Sequence, residues 1–192
     1  MWHRRRSSFT PSAHDPNPWV QAAKTAGAHA SPERIIHTLA DVVSKNGNLL
    51  LNVEPPPDSS IPEEAQKVLQ EIRAWLEVNG EAIYHSKPWS TFGEGPTRNA
   101  AGTFQEGHAR PYTAQDFRFT THGRYLYAIE LGWPENGHAL IRSITQESKV
   151  GSVNLLGSAR QVPFTQDADG LHLYLPKQRP GAHAWVYRIE TH

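Results

Sequence analysis

Ser44-Lys45-Asn46-Gly47-Asn48-Leu49-Leu50-Leu51-Asn52-Val53 is a polar turn followed by a short, nearly continuous apolar run. Such a run predicts a strand covered on both faces, as in a parallel sheet. The flanks read as helix. Upstream, Ser31 fits an N-cap and Pro32 the first helical position, where its missing N–H costs nothing. Ile35, Leu39, Val42 and Val43 then recur at helical spacing until Gly47 ends the pattern. Downstream of a proline-rich loop over 54–60, Ser60 and Glu63 form an S-x-x-E capping box. Ala65, Val68, Leu69, Ile72, Trp75 and Leu76 make one apolar stripe, which Asn79-Gly80 closes. Residues 31–79 thus predict helix, buried strand, helix, one slice of an α/β architecture.

The character changes after Trp89, where short runs alternate with turn signals and no helical stripe appears. Phe117-Arg118-Phe119, Tyr125 to Leu131, Ala139 to Ile144, Val153 to Leu156, Leu171 to Leu175 and Ala184 to Ile189 are strand candidates. Asn136-Gly137 fits a hairpin turn. Spacing of this kind predicts an antiparallel sandwich, beginning between Tyr84 and Gly95. At the other end, residues 1–17 are polar and proline-interrupted, and a short helix is expected from Pro18 to Ala26.

Composition narrows the function classes. Lys plus Arg and Asp plus Glu both number 19, so the chain lacks the basic balance of a nucleic-acid binder. The one dense basic run, His3-Arg4-Arg5-Arg6, sits at a terminus and reads as a solvated tail. With no cysteine there can be no disulfide and no thiolate metal site. No stretch approaches the ~18 apolar residues of a membrane span, and no signal peptide is legible after the basic start. Compartment is left open. The expected partners exclude nucleic acid and membrane.

Several of these segments resemble one family in order. Ser44 to Asn52 resembles the last barrel strand of the family 29 glycoside hydrolases, the α-L-fucosidases. Ile61-Pro62-Glu63-Glu64 and Trp75 to Tyr84 resemble that family's final helix, and Phe92-Gly93-Glu94-Gly95-Pro96-Thr97 its link into a carboxyl-terminal β-sandwich. Tyr112-Thr113-Ala114, Phe117 to Thr120, Leu126 to Ile129 and Leu155-Leu156-Gly157-Ser158 continue the likeness. The resemblance implies an α+β fold class: a helix–strand–helix remnant of a (β/α)8 barrel followed by an antiparallel β-sandwich. The implied divisions are 1–30, with a short helix similar to the first barrel helix, then the remnant 31–90 and the sandwich 91–192. Two positions depart from the family pattern, with Glu54-Pro55 where glycine-proline usually follows the strand and Asp58-Ser59 in place of an aspartate-glycine turn.

The resemblance implies release of terminal α-linked fucose with retention, a fucosylated glycan as partner and no cofactor. Retaining hydrolysis needs two carboxyl groups about 5 Å apart. A barrel takes about 250 residues and gathers its site from several strand ends. Neither the family's nucleophile segment, nor its acid/base loop, nor its paired histidines can be found, so no catalytic residue is assigned and the isolated chain is expected to be inactive. Glu54 and Asp58, at the strand's carboxyl end, could form an improvised acid and nucleophile, but nothing would desolvate one and not the other, so they read as solvated loop carboxylates. Asn52 is the one candidate sugar contact, although it and Asn48 could instead bond loop backbone. Trp75 reads as core, and Trp89, Trp133 and Trp185 read as packing rather than sugar platforms. The 11 histidines show no helical metal-site spacing, so no metal site is expected. The alternatives to a hydrolase fragment are a non-catalytic carbohydrate-binding or interaction module and a truncated product. In the latter, Leu49 to Leu51 and the helical stripe would face a barrel that is not there and drive self-association.

Overall fold

Ser31 caps the first helix, α1 (Pro32–Ser44), its hydroxyl accepting the Arg34 amide at 3.2 Å. The fold is a computed structural model that describes residues 31–53, 61–99 and 110–191, so the expected helix at 18–26 lies outside the described residues. At the other end of α1, Asn46 takes the left-handed conformation at φ 64° and its amide reaches Val43 O. The Gly47 amide bonds Val42 O at 2.9 Å, which completes a Schellman closure. A Cβ on Gly47 would lie 2.8 Å from the Val42 side chain, so the turn that ends α1 needs glycine for space rather than for φ.

The second helix, α2 (Glu63–Asn79), starts on Pro62, which offers no side-chain cap. This corrects the expected capping box: Glu63 occupies the first helical position and pairs with Lys67 at 2.8 Å, while Ser60 lies outside the described residues. The run 48–53 also departs from expectation. It joins no sheet among the described residues, and Leu50 is 80% exposed. A parallel strand exists only through bonds to neighbours. Every described strand pairs antiparallel elsewhere.

Those strands form the sandwich. β1 (Lys87–Glu94), β2 (Phe117–His122), β3 (Tyr125–Glu130), β8 (Trp185–Thr191) and β5 (Val150–Leu155) lie side by side in that order. β4 (His138–Ile141), β7 (Gly170–Tyr174) and β6 (Phe164–Asp167) make the facing sheet. β2 and β3 close a hairpin on Gly123, at φ 60°. Asn136-Gly137 does form a turn, with the Gly137 amide on Pro134 O at 3.0 Å, but it leads from β3 in one sheet to β4 in the other. The hairpin reading fails because its flanking strands are not ladder partners.

The central strands are apolar on both faces. Leu126, Ala128, Trp185, Tyr187 and Ile189 point into the space between the sheets with Phe117, Phe119, Ile141, Leu171 and Leu173. Tyr127, Ile129 and Val186 point the other way, onto Ile35, Ile36, Ala40, Ile72 and Trp75 of the helices. The helical stripe therefore covers the outer face of the sandwich and is not left facing an absent barrel. Each large apolar side chain buried there contributes about 1.5–3 kcal/mol. The result is three layers: helices, larger sheet, smaller sheet.

Polar rivets hold the helical layer in register. Arg118 on β2 is almost fully buried, and its Nε donates to Asp41 Oδ1 of α1 at 2.6 Å. Its guanidinium lies 5.0 Å from the Tyr112 ring centre and 5.7 Å from that of Phe92. Trp75 Nε1 donates to Ala184 O at 2.8 Å, and His37 Nε2 bonds His183 O at 2.9 Å, fixing both helices to the loop before β8. Among the described residues no helix is long and apolar enough to cross a membrane.

Candidate functional site

Of the sequence candidates, Glu54 and Asp58 lie outside the described residues. Asn48 and Asn52 are exposed in the unpaired run 48–53. Trp75 is core. Trp89 packs edge-on against Phe119 at 5.1 Å, and Trp133 lies 5.2 Å from Trp185 inside the sandwich, so these indoles are committed to packing.

The best-placed described carboxylates are committed too. Glu94, at the end of β1, accepts the Arg142 and Ser143 amides at 2.8 and 2.7 Å and so ties the two sheets at one end. Asp116 accepts the amides of Thr97 and Thr113 and both their hydroxyls, at 2.7–2.9 Å. Burial pushes its carboxyl up, but those donors outweigh burial and hold it below the ordinary value. Glu130 ends β3 inside the sandwich, where Tyr187 donates to its Oε2 at 2.5 Å and Oε1 has no partner among the described residues. Burial pushes this carboxyl up to about 8 against the opposing pull of the tyrosine bond. A neutral Glu130 has the character of a general acid. Its site is a packed core, and among the described residues no second carboxylate is bonded to it.

Among the concavities on the surface of the described residues, two stand out. One, of about 700 Å3, lies at the sandwich end beside Glu94, Gln115, Glu135, His138 and Arg142. The other, of about 400 Å3, lies beside Trp89, Arg124, Tyr125 and Glu147. The first holds two glutamates, but both oxygens of Glu94 are occupied by backbone amides. Neither assembles a free nucleophile with a desolvated acid.

One cluster escaped the sequence. His138 Nε2 and His172 Nδ1 are 3.2 Å apart, and His172 Nε2 lies 3.1 Å from Asp167 Oδ1. The histidines are 34 positions apart, and only the antiparallel pairing of β4 with β7 brings them together. A search for local spacing cannot find such a pair. Period-two alternation around His172 and Tyr174 is the one signal that could have flagged this face. Among the described residues no three of His, Cys, Asp and Glu converge as a ready-made metal cage.

Comparison with known proteins agrees with this architecture. The family model described as alpha-L-fucosidase matches residues 28–81, and that of the alpha-L-fucosidase C-terminal domain matches 110–190. Tissue alpha-L-fucosidase of Homo sapiens is 34% identical over 160 residues, which is 81% of this chain and 30% of that protein. The crystal structure of Thermotoga maritima alpha-fucosidase superposes with a TM-score of 0.67 at 28% identity, covering 85% of this chain and 36% of the other. The same enzyme in complex with fucose gives 0.66 over 83% and 34%. The chain thus spans about a third of the length of these relatives. With both segments in the family's order and the fold shared, the chain belongs to the α-L-fucosidases of glycoside hydrolase family 29, of which it carries the end of the catalytic region and the carboxyl-terminal β-sandwich.

Proposed function

We propose that this chain supplies the carboxyl-terminal part of a retaining exo-α-L-fucosidase, acting on terminal α-L-fucose of glycans, and does not hydrolyse glycosides by itself. The observation that carries this reading is the unpaired run 48–53, the segment similar to a barrel strand, whose Leu50 stands 80% exposed with no neighbouring strand among the described residues. Rim chemistry needs several such strands closed into a ring. In the reading proposed here, the segment expected over 31–90 is the end of the catalytic region, the β-sandwich domain expected over 91–192 begins earlier, with β1 at Lys87, and Asn52 faces the sugar once a barrel surrounds it. Leu50 and Leu51 then mark an apolar face that drives self-association when it is left bare.

The experiment is turnover of an aryl α-L-fucoside by the purified chain, with none expected. Sustained hydrolysis abolished by Glu54→Gln would overturn the reading in favour of a site improvised in the 54–60 loop. One observation favours a second reading, a non-catalytic carbohydrate-binding or interaction module. The helices bury Ile72 and Trp75 on the sandwich itself, which lets the three layers act as one unit. Saturable binding of fucose or a longer fucosylated glycan without turnover selects that module.

A further inference from the structure

On the smaller sheet, Ala139, Ile141, Leu171 and Leu173 face the sandwich core, which turns His138, His172 and Tyr174 to the opposite side. There His138 sits across from Tyr174 in the ladder, with the two rings 5.6 Å apart, and His172 lies on the diagonal. The Tyr174 hydroxyl is 3.2 Å from Thr165 Oγ1 on β6. At the end of the same strand, Asp167 accepts the Asp169 amide at 2.8 Å and faces His172 Nε2 at 3.1 Å. The His172 side chain is 18% exposed, so small solutes reach it.

We propose that His138 Nε2 and His172 Nδ1 are a two-point site for a nitrogen-preferring divalent transition metal, of which zinc is the reference case, with Asp167 as the residue that orients His172. Two imidazole nitrogens each about 2.1 Å from one ion, at a roughly tetrahedral angle, lie about 3.4 Å apart. The observed separation is 3.2 Å. The carboxylate is the independent observation. Ligand histidines generally donate their other ring N–H to a carboxylate or carbonyl, which fixes the tautomer. Here Asp167 takes the Nε2 proton of His172, so Nδ1 presents its lone pair toward His138. Moving the His138 proton from Nε2 to Nδ1 then aims a second lone pair at the same point, with no net change in charge. Both ligands come from adjacent strands of one ladder, a rigid support for a bidentate site. Water or an oxygen-bearing ligand fills the remaining positions, and imidazole suits zinc, copper and nickel over calcium or magnesium.

The site is separate from the hydrolase reading and can fail without it. The test is calorimetric titration of the full chain with Zn2+ alone near neutral pH. One saturable equivalent is expected above the background of the other histidines. His138→Gln and His172→Gln should each weaken that equivalent more than tenfold, and Asp167→Asn by about tenfold. Retention of the wild-type affinity in His172→Gln, or no saturable equivalent in the wild type, overturns the proposal. Should a variant fail to fold, zinc-edge X-ray absorption of the wild-type chain reads the bound shell directly. Two imidazole nitrogens near 2.1 Å support the site, and a shell without imidazole overturns it.

Discussion

The Tyr187 hydroxyl donates a 2.5 Å hydrogen bond to Glu130 Oε2, from one central strand to its neighbour, in the apolar space between the sheets. Both side chains are fully buried. The tyrosine is itself held well above its ordinary pKa, first by burial and then by the carboxyl beside it. A carboxyl in that setting stays protonated, and the native fold binds a proton that the unfolded chain releases.

Stability should therefore fall with rising pH over a defined window. Glu130 ionises near 4.5 when unfolded and at about 8 when folded, so between those values the native state holds the extra proton. Unfolding then gains by up to about 1.4 kcal/mol per pH unit across the window and levels off above it. Glu130→Gln keeps an acceptor for Tyr187 and cannot ionise. Urea unfolding at pH 5, 7 and 9 should show a flatter profile for the variant, and parallel profiles for both proteins would contradict the assignment.

His37 works in the opposite direction. Burial, the largest effect, lowers its pKa from 6.5, with His183 and Arg118 adding to the shift and Glu33 and the His183 carbonyl opposing it. The unfolded chain takes up a proton as pH drops below 6.5, before the folded one does, so stability declines on the acid side. His37→Gln retains a donor for His183 O and removes the titration. Its unfolding midpoint should change less than the wild type's between pH 7 and 5.

Arg118→Met should cost about 2 kcal/mol in chemical denaturation, because it removes the charged bond to Asp41 Oδ1, leaving that carboxylate only Lys45 at 2.7 Å on Oδ2, and a bond to Phe117 O. Arg118→Lys keeps the charge but cannot reach Asp41, Phe117 O and the Tyr112 hydroxyl together. It should recover less than half of the loss. Full recovery would mean that charge alone matters there.

Gly95 sits at φ 129°, where a Cβ would meet Asp116 Oδ1 and come within 2.6 Å of its Cα. Gly95→Ala should lose about 2–3 kcal/mol by combining backbone strain with a clash against a carboxylate held by four donors. A melting temperature equal to the wild type's would show that the link after β1 is looser than its hydrogen bonds imply.

Leu50→Ser should leave stability within about 0.5 kcal/mol, since the side chain is 80% exposed. It should shift the elution profile toward monomer. An unchanged profile from a chain that self-associates would move the contact elsewhere.

Much of the fold was legible because its signals are local. Ser31 and Pro32 announce a helix start through chemistry confined to one turn, and the alternation in Tyr125 to Leu131 marks a strand without reference to its partners. β1 escaped because it is an edge strand with no fully buried residue, which carries Pro88 and an irregularity before Gly93. β6 is only four residues long and polar at three of them, Thr165, Gln166 and Asp167. The run 48–53 looks like a buried strand because it is short and nearly continuously apolar, and no residue in the run itself says whether a neighbouring strand is there to pair with it. The site was harder still. The His138–His172 pair exists only through ladder register, and Glu130 reads as an ordinary charged strand end until Trp185 and Tyr187 are placed beside it.

The larger sheet wears a hydrophobic coat on each side, and this limits how the protein can be dissected. A recombinant fragment cut at Lys87, where the strands begin, would strip Ile36, Ile72 and Trp75 from Tyr127, Ile129 and Val186 and present that wall to water. The helical pair thus acts as the lid of the β-sandwich, and expression trials that keep it should yield soluble material where shorter cuts precipitate.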